Sequence, residues 1–300
     1  MEPDTKAAFL FPGNDIDYRE TLQKIGREDT FRENLAKVYK LGYRLNLAEA
    51  GAGAGSELHN QMVIYTICCS ICDLYQNRHI VPAMVSGYSL GIYSALYAAG
   101  AYSFETGLLI LREAFKVVKQ VYTSRKRKFG MGVVIGLTQQ EIIDLIFNKI
   151  DHFLEIACLN GERSFVIVGE HQAIGKGLDL AGKLGALKTI QINTKFGYHT
   201  SFLQGNIGKL STFLDSCEIF EPHCRILSPL DMSLIGRNAI THEIVRNLYS
   251  PVRWGSLINE LVNHYDIGEG YEAGPGESLA KMSRYINQNF KVYTFHEGKP

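Results

Sequence analysis

Residues 80–100 constrain this chain more than any other stretch. Residues 80–85 form an apolar run that predicts a buried strand, Gly87-Tyr88-Ser89-Leu90-Gly91 follows, and the small residues beyond it predict a helix. Strand, sharp turn and helix are the context in which a G-x-S-x-G sequence forms a nucleophile elbow. A side chain at position 87 or 91 would collide with the neighbouring strand or helix, so the turn calls for glycine there. The turn holds the Ser89 hydroxyl proud of the sheet edge. It also sets the Leu90 amide at a helix N-terminus, where a developing oxyanion is stabilised. A glycine-rich β–α turn with an incidental serine is the competing reading.

The remaining pattern predicts an α/β chain with an inserted lobe. Residues 7–13 read as a short apolar strand ending in a Pro-Gly turn, helices follow to about residue 50, and residues 51–56 read as a flexible connector. A helix over 57–77, the elbow, and a helix over 104–122 come next. Residues 130–193 then change character. A strand at 130–136, a capping-box helix from Thr138 to Phe147, strands at 153–159 and 164–169, a helix over 171–183 and a strand at 187–193 give the order β-α-β-β-α-β. That order is the ferredoxin-like split motif. The predicted organisation is a main domain over 1–125 and 196–300, with a ferredoxin-like subdomain inserted at 126–195. In the returning main domain, helices are expected at about 201–216, 241–249 and 255–264, with a strand and turn over 269–276 and a strand at 291–295.

Three hundred residues, 46% of them hydrophobic, suffice for a sizeable core. Lysine and arginine number 31, as do aspartate and glutamate, so net charge points to neither nucleic acid nor a membrane surface. No basic-then-apolar leader and no membrane-length apolar run is evident, so a cytoplasmic location is expected. Of six cysteines, Cys69 and Cys72 have C-x-x-C spacing, but they lie in an apolar helical run with Cys68. They are read as buried hydrophobes, and no metal site is expected.

A serine hydroxyl needs a base. His199, in Phe196-Gly197-Tyr198-His199-Thr200-Ser201-Phe202, lies where the chain returns from the inserted lobe, at the expected cleft between the two. Clefts of this kind concentrate small-molecule sites. A purely structural loop histidine is the alternative.

At this point a family resemblance enters. Phe11-Pro12-Gly13, Gln61, Gly87-Tyr88-Ser89-Leu90-Gly91 with Tyr93-Ser94-Ala95-Leu96, Asn160, His199 with Thr200-Ser201-Phe202-Leu203, Pro251-Val252-Arg253-Trp254 and Glu272-Ala273-Gly274-Pro275-Gly276 occur in one order. Together they resemble the malonyl-CoA:acyl-carrier-protein transacylases and the acyltransferase domains of polyketide synthases, over nearly the whole chain. The resemblance implies an α/β-hydrolase-like parallel-sheet core. It implies ping-pong acyl transfer through an acyl-Ser89, with His199 as base and an oxyanion hole from Leu90 and the N-terminal loop. A backbone carbonyl, matched to Arg253, would orient the histidine, although a Ser-His-Asp triad stays open. No bound cofactor is implied. An acyl-CoA or acyl-phosphopantetheine thioester is the substrate, an acyl carrier protein the partner, and fatty-acid or polyketide biosynthesis the setting.

The chain also departs from that family. The oxyanion-loop glutamine is replaced by Asn14, Tyr88 stands where a histidine precedes the nucleophile, and Ile92 stands where a glutamate follows the elbow. Malonyl-transferring members carry an arginine that binds the substrate carboxylate. Counting from Ser89, Ala114 holds that position and Arg112 lies two residues, about 200° of helix, earlier. Leu111, Ala114, Phe115 and Val118 form that helix's apolar face. Either the carboxylate clamp is lost and the acyl group is uncarboxylated, or the register slips and Arg112 serves. Tyr88, Ile92, Arg112, Ala114, Gln61, Asn160 and Tyr198 are the candidate acyl-pocket residues. Arg125-Lys126-Arg127-Lys128 is either a solvated basic loop or a docking site for an acidic carrier protein or coenzyme A phosphates. A thioester hydrolase and a non-catalytic carrier-binding protein are the alternatives to transfer.

Overall fold

The computed structural model describes residues 6–14, 16–45, 47, 56–125, 128–150 and 152–295, with Arg125 described by its backbone only. The apolar first strand β1 (Ala7–Phe11) is buried throughout. Two amphipathic helices, α1 (Arg19–Ile25) and α2 (Asp29–Lys40), lead to the long α3 (Glu57–Asn77). Ser56 caps α3 by accepting the His59 amide, and Cys68, Cys69 and Cys72 are wholly buried along it. Burial pushes all three thiols up, far from reactive thiolates. The strand after α3 is shorter and later than expected: β2 is Met84–Gly87, and residues 80–83 approach it as loop. The elbow leads directly into α4 (Gly91–Ala98), and α5 (Phe104–Arg125) follows.

The inserted lobe runs β3 (Phe129–Ile135), α6 (Gln139–Leu145), β4 (Leu154–Gly161), β5 (Ser164–Glu170), α7 (His171–Lys183) and β6 (Lys188–Ile192). Its strands form an antiparallel sheet of order β4-β5-β3-β6, the ferredoxin-like arrangement. The period-2 alternation of β3 and β5 divides its faces. Val134, Phe165 and Ile167 join Ile142, Ile174 and Leu178 in a small core under α6 and α7. Met131, Val166 and Val168 face the other way, into the main core.

The chain then returns through α8 (Gly208–Asp215), β7 (Arg225–Ile226), α9 (Ile240–Tyr249), α10 (Trp254–Asn263), β8 (Glu269–Glu272), α11 (Ser278–Ile286) and β9 (Lys291–Thr294). The helix expected at 201–216 is split: residues 201–203 make a single 3-10 turn and α8 starts only at Gly208. Gly205, at φ +90°, breaks it. The main sheet is parallel, in the order β7-β2-β1-β8-β9. Architecture and class are thus α/β, with helices around a parallel sheet and a small antiparallel sheet set into the chain. The loops after β1 and β2 leave the carboxyl ends of adjacent strands, where open parallel sheets bind ligands. Glu272, at the matching end of β8, is buried and accepts the amides of Leu279 and Ala280. Glu272 therefore serves the scaffold by holding the first turn of α11. Among the described residues, no helix is long and apolar enough to cross a membrane.

Candidate active site

The elbow is built by two glycines pressed against backbone. An added Cβ at Gly87 would fall on Gly91 and the Ile92 amide; one at Gly91 would fall on the Phe11 carbonyl, 2.9 Å from Pro12 O. This close approach locks the turn onto the end of β1, where Tyr88 N donates to Phe11 O at 2.9 Å. Ser89 is thereby held at φ +55°, in the left-handed region that a non-glycine residue occupies only when its surroundings force it. Asn247 steadies the turn from α9, its Nδ2 donating to the Ser89 carbonyl at 3.2 Å.

His199 also has a left-handed backbone, at φ +57°, and its Nε2 lies 2.7 Å from Ser89 Oγ. The sequence places these residues on opposite sides of the inserted lobe, and the fold brings them into contact. Nδ1 lies 3.1 Å from the Ser250 carbonyl. A carbonyl can only accept, so Nδ1 carries the proton and Nε2 presents its lone pair to the serine. Burial pulls the imidazole pKa down to about 4, opposed by hydrogen bonds to the Ser250 and Asn247 backbone. Just beyond the histidine, Glu155 of β4 accepts from Thr200 Oγ1 at 2.7 Å and from Ser201 N at 2.9 Å, tying this loop to the small lobe.

The orienting carbonyl expected from Arg253 comes instead from Ser250. The chain leaves α9 at Ser250, and Val252 then bridges to Cys158 of β4, which turns Arg253 away. The Arg253 amide donates to Pro229 O, and its side chain is exposed.

Ser89 and His199 lie in the wall of a cavity of about 130 Å³ that also includes Asn14, Gln61, Tyr88, Leu90, Ala114 and Tyr198. Among the described residues no acceptor takes the Leu90 amide, and Asn14 of the loop after β1 faces the same space. Three acyl-pocket candidates fall elsewhere. Ile92 is fully buried in the main core. Asn160 stands behind the wall, accepting from Tyr88 OH at 2.9 Å. Arg112 points off the cavity-facing side of α5 to Tyr43 OH at 2.9 Å and an ion pair with Glu113. Of the basic loop, Lys128 is exposed, while the Arg125 side chain, Lys126 and Arg127 lie outside the described residues.

Sequence reasoning did not single out Asn247, Ser250, Glu57 or Glu155. Asn247 and Ser250 are one turn apart at the end of α9, a spacing that would place them on one face. Glu57 and Glu155 carry no such signal, since their contacts cross between elements 137 or more and 45 or more residues apart in sequence. Cys158 also faces the cavity, but burial raises its thiol pKa to about 12, so it does not compete as a nucleophile.

No protein-family profile matches the chain. It is 24% identical to the malonyl CoA-acyl carrier protein transacylase of Bacillus subtilis over 297 residues, 96% of this chain and 92% of that protein. It is 23% identical to the polyketide biosynthesis malonyl CoA-acyl carrier protein transacylase PksC of the same organism, across 94% of this chain and 97% of the relative. The crystal structure of an acyl-carrier-protein S-malonyltransferase from Burkholderia pseudomallei superposes with a TM-score of 0.88 at 24% identity, covering 97% and 96% of the two chains. In sequence the chain is similar to malonyl CoA-acyl carrier protein transacylases, the polyketide biosynthesis type among them, and in fold to a solved acyl-carrier-protein S-malonyltransferase.

Proposed function

We propose that this protein is a serine acyltransferase that moves an acyl group from a coenzyme A or carrier-protein thioester to an acyl carrier protein. The observation that carries the reading is the 2.7 Å contact between Ser89 Oγ and the unprotonated Nε2 of His199 in the wall of a cavity. In the first half-reaction Ser89 Oγ attacks the thioester carbonyl as its proton passes to His199 Nε2. The new oxyanion meets the Leu90 amide and Asn14. The C–S bond then breaks, and the departing thiolate takes the proton back from His199. In the second half the carrier's phosphopantetheine thiol gives its proton to His199 and attacks the acyl-serine ester; the acyl C–Oγ bond breaks, and Ser89 Oγ takes the proton back from His199. Throughout, the Ser250 carbonyl holds the Nδ1 proton and stabilises the imidazolium. No aspartate is needed for that. The exposed Lys128 and the basic residues before it would receive the acidic carrier, and the cytoplasm is where such thioesters are found.

Intact-mass spectrometry tests this reading. The protein mixed with malonyl-, acetyl- and butyryl-CoA should gain one acyl group, mapping to Ser89, which disappears when a phosphopantetheinylated carrier is added and reappears on the carrier. Free acid released without carrier would instead mean thioester hydrolysis, and no adduct from any donor would leave a non-catalytic binding protein.

The pH dependence follows from the depressed imidazole pKa. The working form is neutral, and burial keeps it neutral below the ordinary histidine range. Single-turnover acylation of Ser89 should therefore stay level from about pH 8 down to about pH 5 and fall only as pH approaches 4. Stopped-flow rates that already halve near pH 6.5 would show that the histidine is not desolvated as described.

A further inference from the structure

We infer that the acyl group this site accepts is short, neutral and aliphatic rather than one ending in a carboxylate; this rests on the acyl-transfer reading above. Among the described residues that line the cavity, none is lysine or arginine. Its far wall is apolar: Leu111, Ala114, Phe115 and Val118 come from α5, and Met131 and Val166 from the inserted lobe. An ionised carboxylate seated there would lose its hydration with no cation to replace it.

Neutral donors do not make up the deficit, because most are engaged. Gln61 Nε2 donates to Tyr198 OH at 3.1 Å, and Asn247 Nδ2 donates to the Ser89 carbonyl. Of the wall hydroxyls, Tyr198 OH donates to Glu57 at 2.6 Å, and Thr194 Oγ1 has the Phe196 carbonyl at 3.0 Å and Glu57 at 3.2 Å as acceptors. The Tyr198 hydroxyl is therefore not available to an acyl carboxylate. Arg112 of α5 is turned toward Tyr43 and Glu113. Residues 112 and 114 differ by about 200° around a helix, so Arg112 cannot take the place of Ala114 without α5 rotating. The cavity's 130 Å³ is of the order of the roughly 150 Å³ dry apolar cavity that takes in a benzene ring, which suits an acyl chain of a few carbons.

The test is a competition. The full chain is mixed with equal concentrations of malonyl-CoA and butyryl-CoA, and the two Ser89 adducts are counted by mass. Butyryl should exceed malonyl by about tenfold or more. Malonyl labelling equal to or above butyryl overturns the inference while leaving acyl transfer intact. A wild-type chain that takes neither donor overturns both. Ala114→Arg, with its fold checked by circular dichroism, introduces a cation at the cavity-facing position and should raise the malonyl-to-butyryl ratio by about tenfold. Arg112→Ala should leave that ratio where it is. A selective loss of malonyl labelling in this variant would mean that Arg112 reaches the acyl group, and would overturn the inference.

Discussion

Ser89→Ala should abolish the acyl-enzyme and lower transfer to a carrier protein by about 10³-fold or more, and His199→Ala should do nearly the same. The two residues act as one unit across 2.7 Å, so either loss removes the activated nucleophile. The effects should not multiply: the double variant is expected to be no slower than the worse single one. The residual rate would come from the Leu90 amide and from bringing donor and carrier together, neither of which the substitutions touch. Stability should move little in Ser89→Ala, because the hydroxyl's only hydrogen-bond partner among the described residues is the His199 ring, and alanine accepts a left-handed backbone about as well as serine. Carrier acylation followed by gel shift or mass, beside a thermal melt of each variant, checks both halves. If Ser89→Ala kept a tenth of the wild-type rate, the nucleophile would be elsewhere.

What could be read from the sequence was what depends on local geometry. Two glycines spaced around a serine, between an apolar run and a small-residue helix, fix an elbow because only glycine tolerates that closeness of backbone. The order β-α-β-β-α-β was equally visible, since each element carries its own period. The apolar face of α5 was readable for the same reason, and its four residues line the cavity. Contacts made by backbone carbonyls were not. The acceptor for His199 Nδ1 depends on how the chain leaves α9, and the identity of the residue at 250 carries no mark of it. Arg253, three positions on, was the wrong choice because the Cys158–Val252 bridge redirects the chain between them. Nor could sequence foresee that Glu57 of α3 and Glu155 of β4 would be joined to the histidine loop, since those contacts exist only once distant parts of the chain are packed together. The two-residue β7 has no period at all to detect.

Gly91→Ala should destabilise the protein by about 3 kcal/mol or more and inactivate whatever remains folded. The cause is where the methyl group would go. Its Cβ would land on the Phe11 carbonyl and within 2.9 Å of Pro12 O, which are backbone atoms of the strand end that the elbow rests on. A flexible side chain could swing aside; β1 cannot, because Phe11 is fully buried and β1 is hydrogen-bonded to strands on both sides. Relief has to come from the elbow lifting off β1. That movement breaks the Tyr88 N to Phe11 O bond, frees Ser89 from its left-handed conformation and pulls its Oγ away from His199. Stability and acylation should thus fail together. A second glycine separates this cause from a general intolerance of alanine. Gly175 lies within α7 with nothing within 4 Å of an added Cβ. There the same substitution should stabilise by about 0.5–1 kcal/mol, because alanine loses less freedom on entering a helix. Urea denaturation of the two variants should move in opposite directions from wild type. A Gly91→Ala protein with wild-type stability and normal Ser89 labelling would mean that the elbow does not sit against β1 in the way that holds the serine to its histidine.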